Sequence, residues 1–182
     1  MMRLEQHIVD TLKEWQMKLG GGDTHVRLYY PLDSLCGYLA MPMDSTMDDV
    51  IVKTEDYLRE NAPYLGMPMI AESNGRVCIE IPEQGCTYVQ ENVPLSEFSA
   101  GFLEALKENS MQSLREYFAA FAKKHGGSVK EDVDEEDGDT VLYFDPEDIE
   151  PYVYCINDDI LGITYHRFAR ADYERAKQSS ER

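Results

Sequence analysis

The hydrophobic residues of this chain change period partway along it, and that change restricts the fold more than any single motif. Up to about residue 61 they recur every three or four positions, and from Met67 they alternate with polar ones. The first spacing suits helices that bury one stripe, the second strands that bury one face. Runs of each, without regular strand–helix alternation, place the chain in the α+β class.

Leu4, Ile8, Leu12, Trp15 and Leu19 predict a first helix, ended by Gly20-Gly21-Gly22. His7 falls on its polar side and is expected to be exposed and idle. "HVRLYYPL" reads as a short extended piece and "PLDSLCGYL" as a short helix opened by Pro31. A third helix runs from about Thr46 to Asn61, with Met47, Val50, Ile51, Thr54 and Leu58 on one face. Ser45, Thr46 and Asp49 make its capping box, and Pro63 enforces its end.

In the alternating region "MPMIAES" and "RVCIEI" are joined by Asn74-Gly75, the residues that accept the positive φ of a type I′ hairpin turn. "CTYVQEN", after a turn at Gly85, reads as a third strand. The result is an antiparallel meander with Ile70, Val77, Ile79 and Ile81 on its buried face. Two helices, Pro94 to Glu108 and Met111 to His125, are expected to cover it, with Ser110 as the cap between them. Gly101 inside the first signals close packing or a weaker helix.

Residues 128–140, "SVKEDVDEEDGDT", read as a strand edge and a solvated acidic loop. "VLYFD", "PYVYCIN" and "GITYHRF" return to β patterning, and "RADYERAKQ" forms a closing helix. No internal repeat and no low-complexity linker are expected. The expected architecture is an antiparallel sheet built from two hairpin or meander units, packed with an N-terminal helical segment and a central helix pair, in one domain over residues 1–182.

Charge removes several partners. Seventeen Lys and Arg against 35 Asp and Glu give a formal charge of −18, a field that repels nucleic acid and anionic membrane surfaces. No apolar run approaches the roughly 18–20 residues of a membrane helix. Charges in "MMRLEQHIVDTLKEW" occupy the place where a secretory signal needs an apolar core. A cytoplasmic protein is expected, with Cys36, Cys78, Cys86 and Cys155 reduced. In the expected hairpin Cys78 faces Val89 or Gln90, so it does not meet Cys86.

Familiar chemical motifs fail one by one. "DVDEEDGDTVLY" resembles a calcium loop, but its sixth position is Asp137 instead of glycine and its twelfth is Tyr143 instead of glutamate. The four histidines and four cysteines show no zinc spacing, and there is no phosphate-binding glycine loop or serine elbow. No metal site and no cofactor are expected.

Two constellations remain. If the last hairpin turns over Asp159 to Gly162, Cys155 lies opposite His166 with Asn157 on the same face, the donor set of a thiol active site. A loop of Ile160 to Gly162 instead sets Cys155 against Arg167. A mid-strand cysteine there lacks the helix N-terminus or exposure that lowers a thiol pKa, which favours a packed hairpin. The second constellation is aromatic: of twelve tyrosines, many fall in extended segments. Tyr29, Tyr30, Tyr154 and Tyr165, with His166 and Arg167, are candidates for a binding surface, although tyrosines also pack well across strands.

Certain strings are also familiar together: "RLYYPLDSL" after a helix ending "KLG", then "GCTYVQEN", then "PYVYCI" followed by "YHRF" and "DY". In this order they resemble an uncharacterised family of small bacterial proteins from Firmicutes, a domain of unknown function. Its landmarks fall at Tyr29-Tyr30-Pro31, Tyr88-Val89 and Tyr165-His166-Arg167-Phe168, and the triple glycine departs from its pattern. The resemblance implies a single-domain intracellular protein and carries over no activity, cofactor or catalytic residue. The function expected is a non-enzymatic cytoplasmic binding or interaction module with an aromatic-lined surface and a protein or small-molecule partner. The alternative is a thiol-dependent enzyme using Cys155 and His166.

Overall fold

The periodic stripe at the N-terminus forms α1 (Leu4–Leu19), in which Leu4, Ile8 and Leu12 are fully buried and Gly20 closes the helix in the left-handed region at φ 80°. The computed structural model describes residues 2–20, 25–134 and 137–180; Gly21 and Gly22 lie outside them. The chain divides into two compact units, Met1–Pro94 and Leu95–Arg182.

In the first unit α1 is followed by β1 (Val26–Tyr30), α2 (Leu32–Tyr38), α3 (Met47–Asn61), a 3-10 turn (Pro63–Leu65), β2 (Met69–Ser73), β3 (Arg76–Ile81) and α4 (Glu83–Asn92). Thr46 caps α3 by accepting from the Asp49 amide at 3.2 Å and returning its hydroxyl to Asp49 Oδ2 at 2.7 Å. β2 and β3 pair with Ser73 opposite Arg76 across Asn74 and Gly75, both at positive φ, as the turn requires.

"CTYVQEN" is not the third strand of this sheet. It lies in α4, with Cys86 and Val89 fully buried three positions apart on one helical face. The third strand is β1, in the order β1-β3-β2, antiparallel throughout, with Tyr30 opposite Val77. Strand propensity in Thr87, Tyr88 and Val89 is overridden by packing on the helical stripe. The sheet buries Val26, Leu28, Tyr30, Val77, Ile79 and Ile81 in a core shared with α1 to α4. His7 is not idle: it is partly buried, its Nδ1 lies 2.9 Å from the Tyr30 hydroxyl, and its ring centroid is 5.2 Å from that of Tyr38.

The second unit comprises α5 (Glu97–Lys107), α6 (Met111–Lys124), β4 (Ser128–Val133), β5 (Thr140–Asp145), β6 (Tyr152–Asp159), β7 (Gly162–Ala169) and α7 (Arg170–Ser180). Ser96 and Ser110 cap the two long helices through the amides of Ser99 and Ser113. The four strands form an antiparallel sheet in chain order, β4-β5-β6-β7. The helix pair expected to cover the earlier hairpin covers this sheet: Phe98 and Phe118 meet edge to face at 5.1 Å, and Phe118 stacks on Phe144 of β5 at 5.2 Å. Gly101 marks close packing, since a Cβ there would lie 2.6 Å from Cε2 of Tyr117. Among the described residues no helix is long and apolar enough to cross a membrane.

Candidate functional site

The β6–β7 hairpin carries most of the candidate residues, and its register places Cys155 opposite His166 and Tyr154 opposite Arg167. This is the register that a turn over Asp159 to Gly162 requires, although the loop is shorter than four residues: Asp159 and Gly162 still pair, so only Ile160 and Leu161 form the tip. Strand alternation then sends the hairpin residues to two faces.

Tyr154 and Tyr165 point toward the helix pair. Tyr154 is buried, its ring 5.0 Å from Phe102, and its hydroxyl donates to Glu150 Oε1 at 3.0 Å. Burial first, and the neighbouring Glu150 carboxylate second, hold its phenol well above the usual tyrosine range. Tyr165 meets Phe102 edge to face at 4.8 Å, and the Arg167 guanidinium lies 4.2 Å from the Tyr152 ring centroid. In the first unit Tyr30 is buried, while Tyr29, on the opposite face of β1, is exposed. Tyr30 and Tyr154 therefore correct the expectation of an exposed aromatic surface: their rings fill cores, because each falls on the inward step of its strand.

Cys155, Asn157 and His166 share the other face. His166 is exposed, whereas Cys155 is buried in a cluster with Val141 and Val153 against which Tyr143 and Tyr173 pack. Burial first, then the charges of Asp134 and Asp139, push the Cys155 thiol from 9.0 up to about 11. The Asn157 amide donates to Asp139 Oδ1 at 2.7 Å. The three side chains are thus brought to one face, yet the thiol is held in its protonated, non-nucleophilic form near neutral pH. Among the described residues no group of three or more His, Cys, Asp or Glu side chains is arranged to hold a metal ion.

Ile160 and Leu161 at the hairpin tip are not among the residues that the sequence marks as candidates. Asp159 Oδ1 accepts from the Leu161 amide at 2.7 Å, Gly162 takes φ 119°, and Asn109 Oδ1 accepts from the Ile163 amide at 2.8 Å. These polar contacts build the turn without help from the tip side chains. Ile160 and Leu161 are 102% and 91% exposed, flanked by exposed Asp158 and Asp159, with half-exposed Phe168 further along β7. The available signal was two large aliphatic residues where a tight turn ordinarily selects Gly, Asn or Asp.

No curated protein and no solved structure matches the chain. A family model does match, over residues 1–176 and so across both units. Its description is "Domain of unknown function, E. rectale Gene description (DUF3877)", and E. rectale is a Firmicute, in agreement with the resemblance carried by the YYPL, TYVQEN and YHRF strings. The chain belongs to this family of uncharacterised function.

Proposed function

We propose that the chain is a non-enzymatic, cytoplasmic interaction module that inserts the β6–β7 hairpin tip into a protein partner. The observation that carries this reading is the pair Ile160 and Leu161, almost wholly exposed on a turn whose geometry is fixed by Asp159, Gly162 and Asn109. Two such residues on a preorganised turn can enter a pocket with little loss of backbone entropy. Burying both is worth about 3–6 kcal/mol before association costs, the scale of an interface hot spot.

The collar around the tip selects the partner's chemistry. Asp158 and Asp159 flank it, and the whole chain carries −18, so the complementary surface is an apolar socket rimmed by Lys or Arg. Nucleic acid and anionic membranes offer the wrong sign. The raised pKa of Cys155 supports a packing role for that residue over the thiol-enzyme alternative.

The test compares partner retention by the wild-type chain, the Ile160→Ser/Leu161→Ser variant, and Val52→Ser, which alters an exposed residue of the first unit. A partner retained by wild type and Val52→Ser, lost from the tip variant and weakened by salt is the expected result. The same partner bound equally by the tip variant, or no partner at all, overturns the proposal.

A further inference from the structure

A carboxylate lies in the stripe that α1 turns to the core of the first unit. Leu4, Ile8 and Leu12 are fully buried, Val9 nearly so, and Glu5 among them is only 6% exposed. A carboxylate taken out of water needs close partners, and an apolar residue in its place is often as stable or more so. Packing alone therefore gives no reason for Glu5.

Its partners come from several elements. Tyr57 of α3 donates its hydroxyl to Glu5 Oε2 at 2.5 Å. Burial first, and that bond second, hold the Tyr57 phenol above the usual tyrosine range, so it remains a donor. Tyr64 of the 3-10 turn stands close enough to feel both neighbouring charges: burial first and Glu5 second raise its phenol, and Arg3 pulls the other way. Tyr88 of α4, half-exposed, backs Tyr64 with ring centroids 5.2 Å apart.

The other carboxylate oxygen, Glu5 Oε1, is met by the guanidinium of Arg3. That guanidinium also bonds to Tyr57, and Tyr57 first and Glu5 second raise its pKa. A closed ring results, in which Tyr57 donates to one carboxylate oxygen while the guanidinium spans the other one and the phenol oxygen. A planar fork of donors suits this arrangement better than the point charge of an ammonium group. Arg3, however, ties no distant elements together. It is two residues from Glu5, its backbone is extended at φ −88° and ψ 149°, its side chain does not cap α1, and that side chain is 67% exposed.

We infer that Glu5 and Tyr57, walled by Tyr64, form a binding site for the guanidinium group of an alkylguanidine or an arginine side chain, which Arg3 fills in cis until such a ligand displaces it. The incoming group takes over the hydrogen bonds of Arg3, and no covalent bond changes. Its alkyl stem, unlike that of Arg3, is not bound by a two-residue tether and can lie along the Tyr64 and Tyr88 rings. The formal charge of −18 draws cations to the protein. A competitor on so short a tether acts at an effective concentration of ~mM or more, so its removal strengthens the hold on an external ligand.

The test titrates the full chain with ethylguanidinium and, separately, with N-acetylarginine amide at constant ionic strength, following the tyrosine ring resonances by NMR. Arg3→Ala is expected to bind both about tenfold or more tightly than wild type, with the Tyr57 and Tyr64 rings shifting. Arg3→Ala/Tyr57→Phe keeps the ring volume and is expected to bind about tenfold more weakly than Arg3→Ala. Arg3→Ala/Glu5→Gln is expected to lose binding, and where that variant fails to fold the Tyr57→Phe comparison decides. Tighter binding of N-acetylarginine amide assigns the site to an arginine borne by a protein, and equal binding assigns it to a small guanidine. Equal affinity in wild type and Arg3→Ala, undiminished affinity in Arg3→Ala/Tyr57→Phe, or no binding by Arg3→Ala overturns the site. None of these results bears on the hairpin tip.

Discussion

Replacing Gly85 by alanine is expected to destabilise the first unit, although alanine is the better helix former. Gly85 lies in the first turn of α4, and a Cβ there would sit 2.8 Å from the Leu65 carbonyl carbon, 3.0 Å from Ile81 Cγ2 and closer still to the Leu65 oxygen. A carbon–oxygen contact settles at about 3.3 Å or more, so α4 must retreat by about 1 Å from the 3-10 turn. The obstacle is backbone and has no rotamer to change. Overpacking of this kind costs about 1–3 kcal/mol, and the upper end applies where nothing yields. The retreat also strains the 2.9 Å hydrogen bond from Gln16 Nε2 to the Cys86 carbonyl, worth about 1 kcal/mol. Helix propensity returns about 1 kcal/mol. The net loss is about 3 kcal/mol, a fall in Tm of about 6–12 °C for a chain of this size, read by circular dichroism melts and urea titration. Gly101→Ala supplies the contrast, because there the obstacle is the far end of Tyr117, which can swing away from α5 by giving up its 2.8 Å bond to the Phe98 carbonyl. That loss and the propensity gain nearly cancel, leaving Gly101→Ala within about 1 kcal/mol of wild type. A Gly85→Ala protein as stable as wild type, or a Gly101→Ala protein equally destabilised, refutes the distinction between fixed and movable obstacles.

Two further outcomes follow from groups whose neutral form the fold favours. Alkylation of Cys155 by iodoacetamide is expected to be slow at pH 8 and to keep accelerating toward pH 11, since burial and two aspartates raise its thiol to about 11; mass spectrometry showing a plateau by pH 9 would contradict this. Tyr117 is pushed from 10.0 up to about 12 by burial first and by the Glu97 and Glu150 charges second. Its folded pKa exceeds its unfolded one, so its contribution is fully present below pH 10 and is lost as pH rises through about 12. Tyr117→Phe is expected to move the alkaline unfolding midpoint upward, and an unchanged midpoint in melts taken between pH 8 and 12 counts against it.

The elements that the sequence disclosed are those whose local chemistry and burial agree. α1, α3, α5 and α6 combine an apolar stripe with a cap or a glycine stop, and the Asn74-Gly75 turn has few alternative conformations. The "CTYVQEN" segment was misread because its β-branched and aromatic residues favour strands, while its helical signals were weaker: Pro82 and Glu83 at the start, and Cys86 and Val89 three apart. Only the tertiary setting decides there, since Gly85 permits an approach to Leu65 that no other side chain allows. The tyrosines failed for a related reason. Alternation tells which residues of a strand share a face, but which face meets a core depends on partners far away in the chain. For Tyr154 those partners are Phe98, Phe102 and Phe118.

The two tight hairpins show how turn chemistry and function separate. At residues 74 and 75 the tip residues themselves supply the positive φ, at 53° and 76°, so that tip has no side chains to spare for recognition. At residues 160 and 161 the work is moved to the flanks, where Asp159 accepts from the Leu161 amide and Gly162 takes the positive φ. The register is the same one a four-residue loop would impose, which is why Cys155 and His166 face each other even though the loop is two residues long. What the shorter loop changes is the tip. Asp159 and Gly162 are drawn into the ladder, and Ile160 and Leu161 are left projecting from a rigid base with no intramolecular reason to be apolar. Exposed aliphatic residues on a turn that does not need them incur a solvation cost with no return within the unit, which is the observation the proposed partner would explain. The same hairpin thereby accounts for both outcomes: the thiol face that register alone suggested is packed and protonated, and the two large aliphatic side chains at the tip are left in solvent.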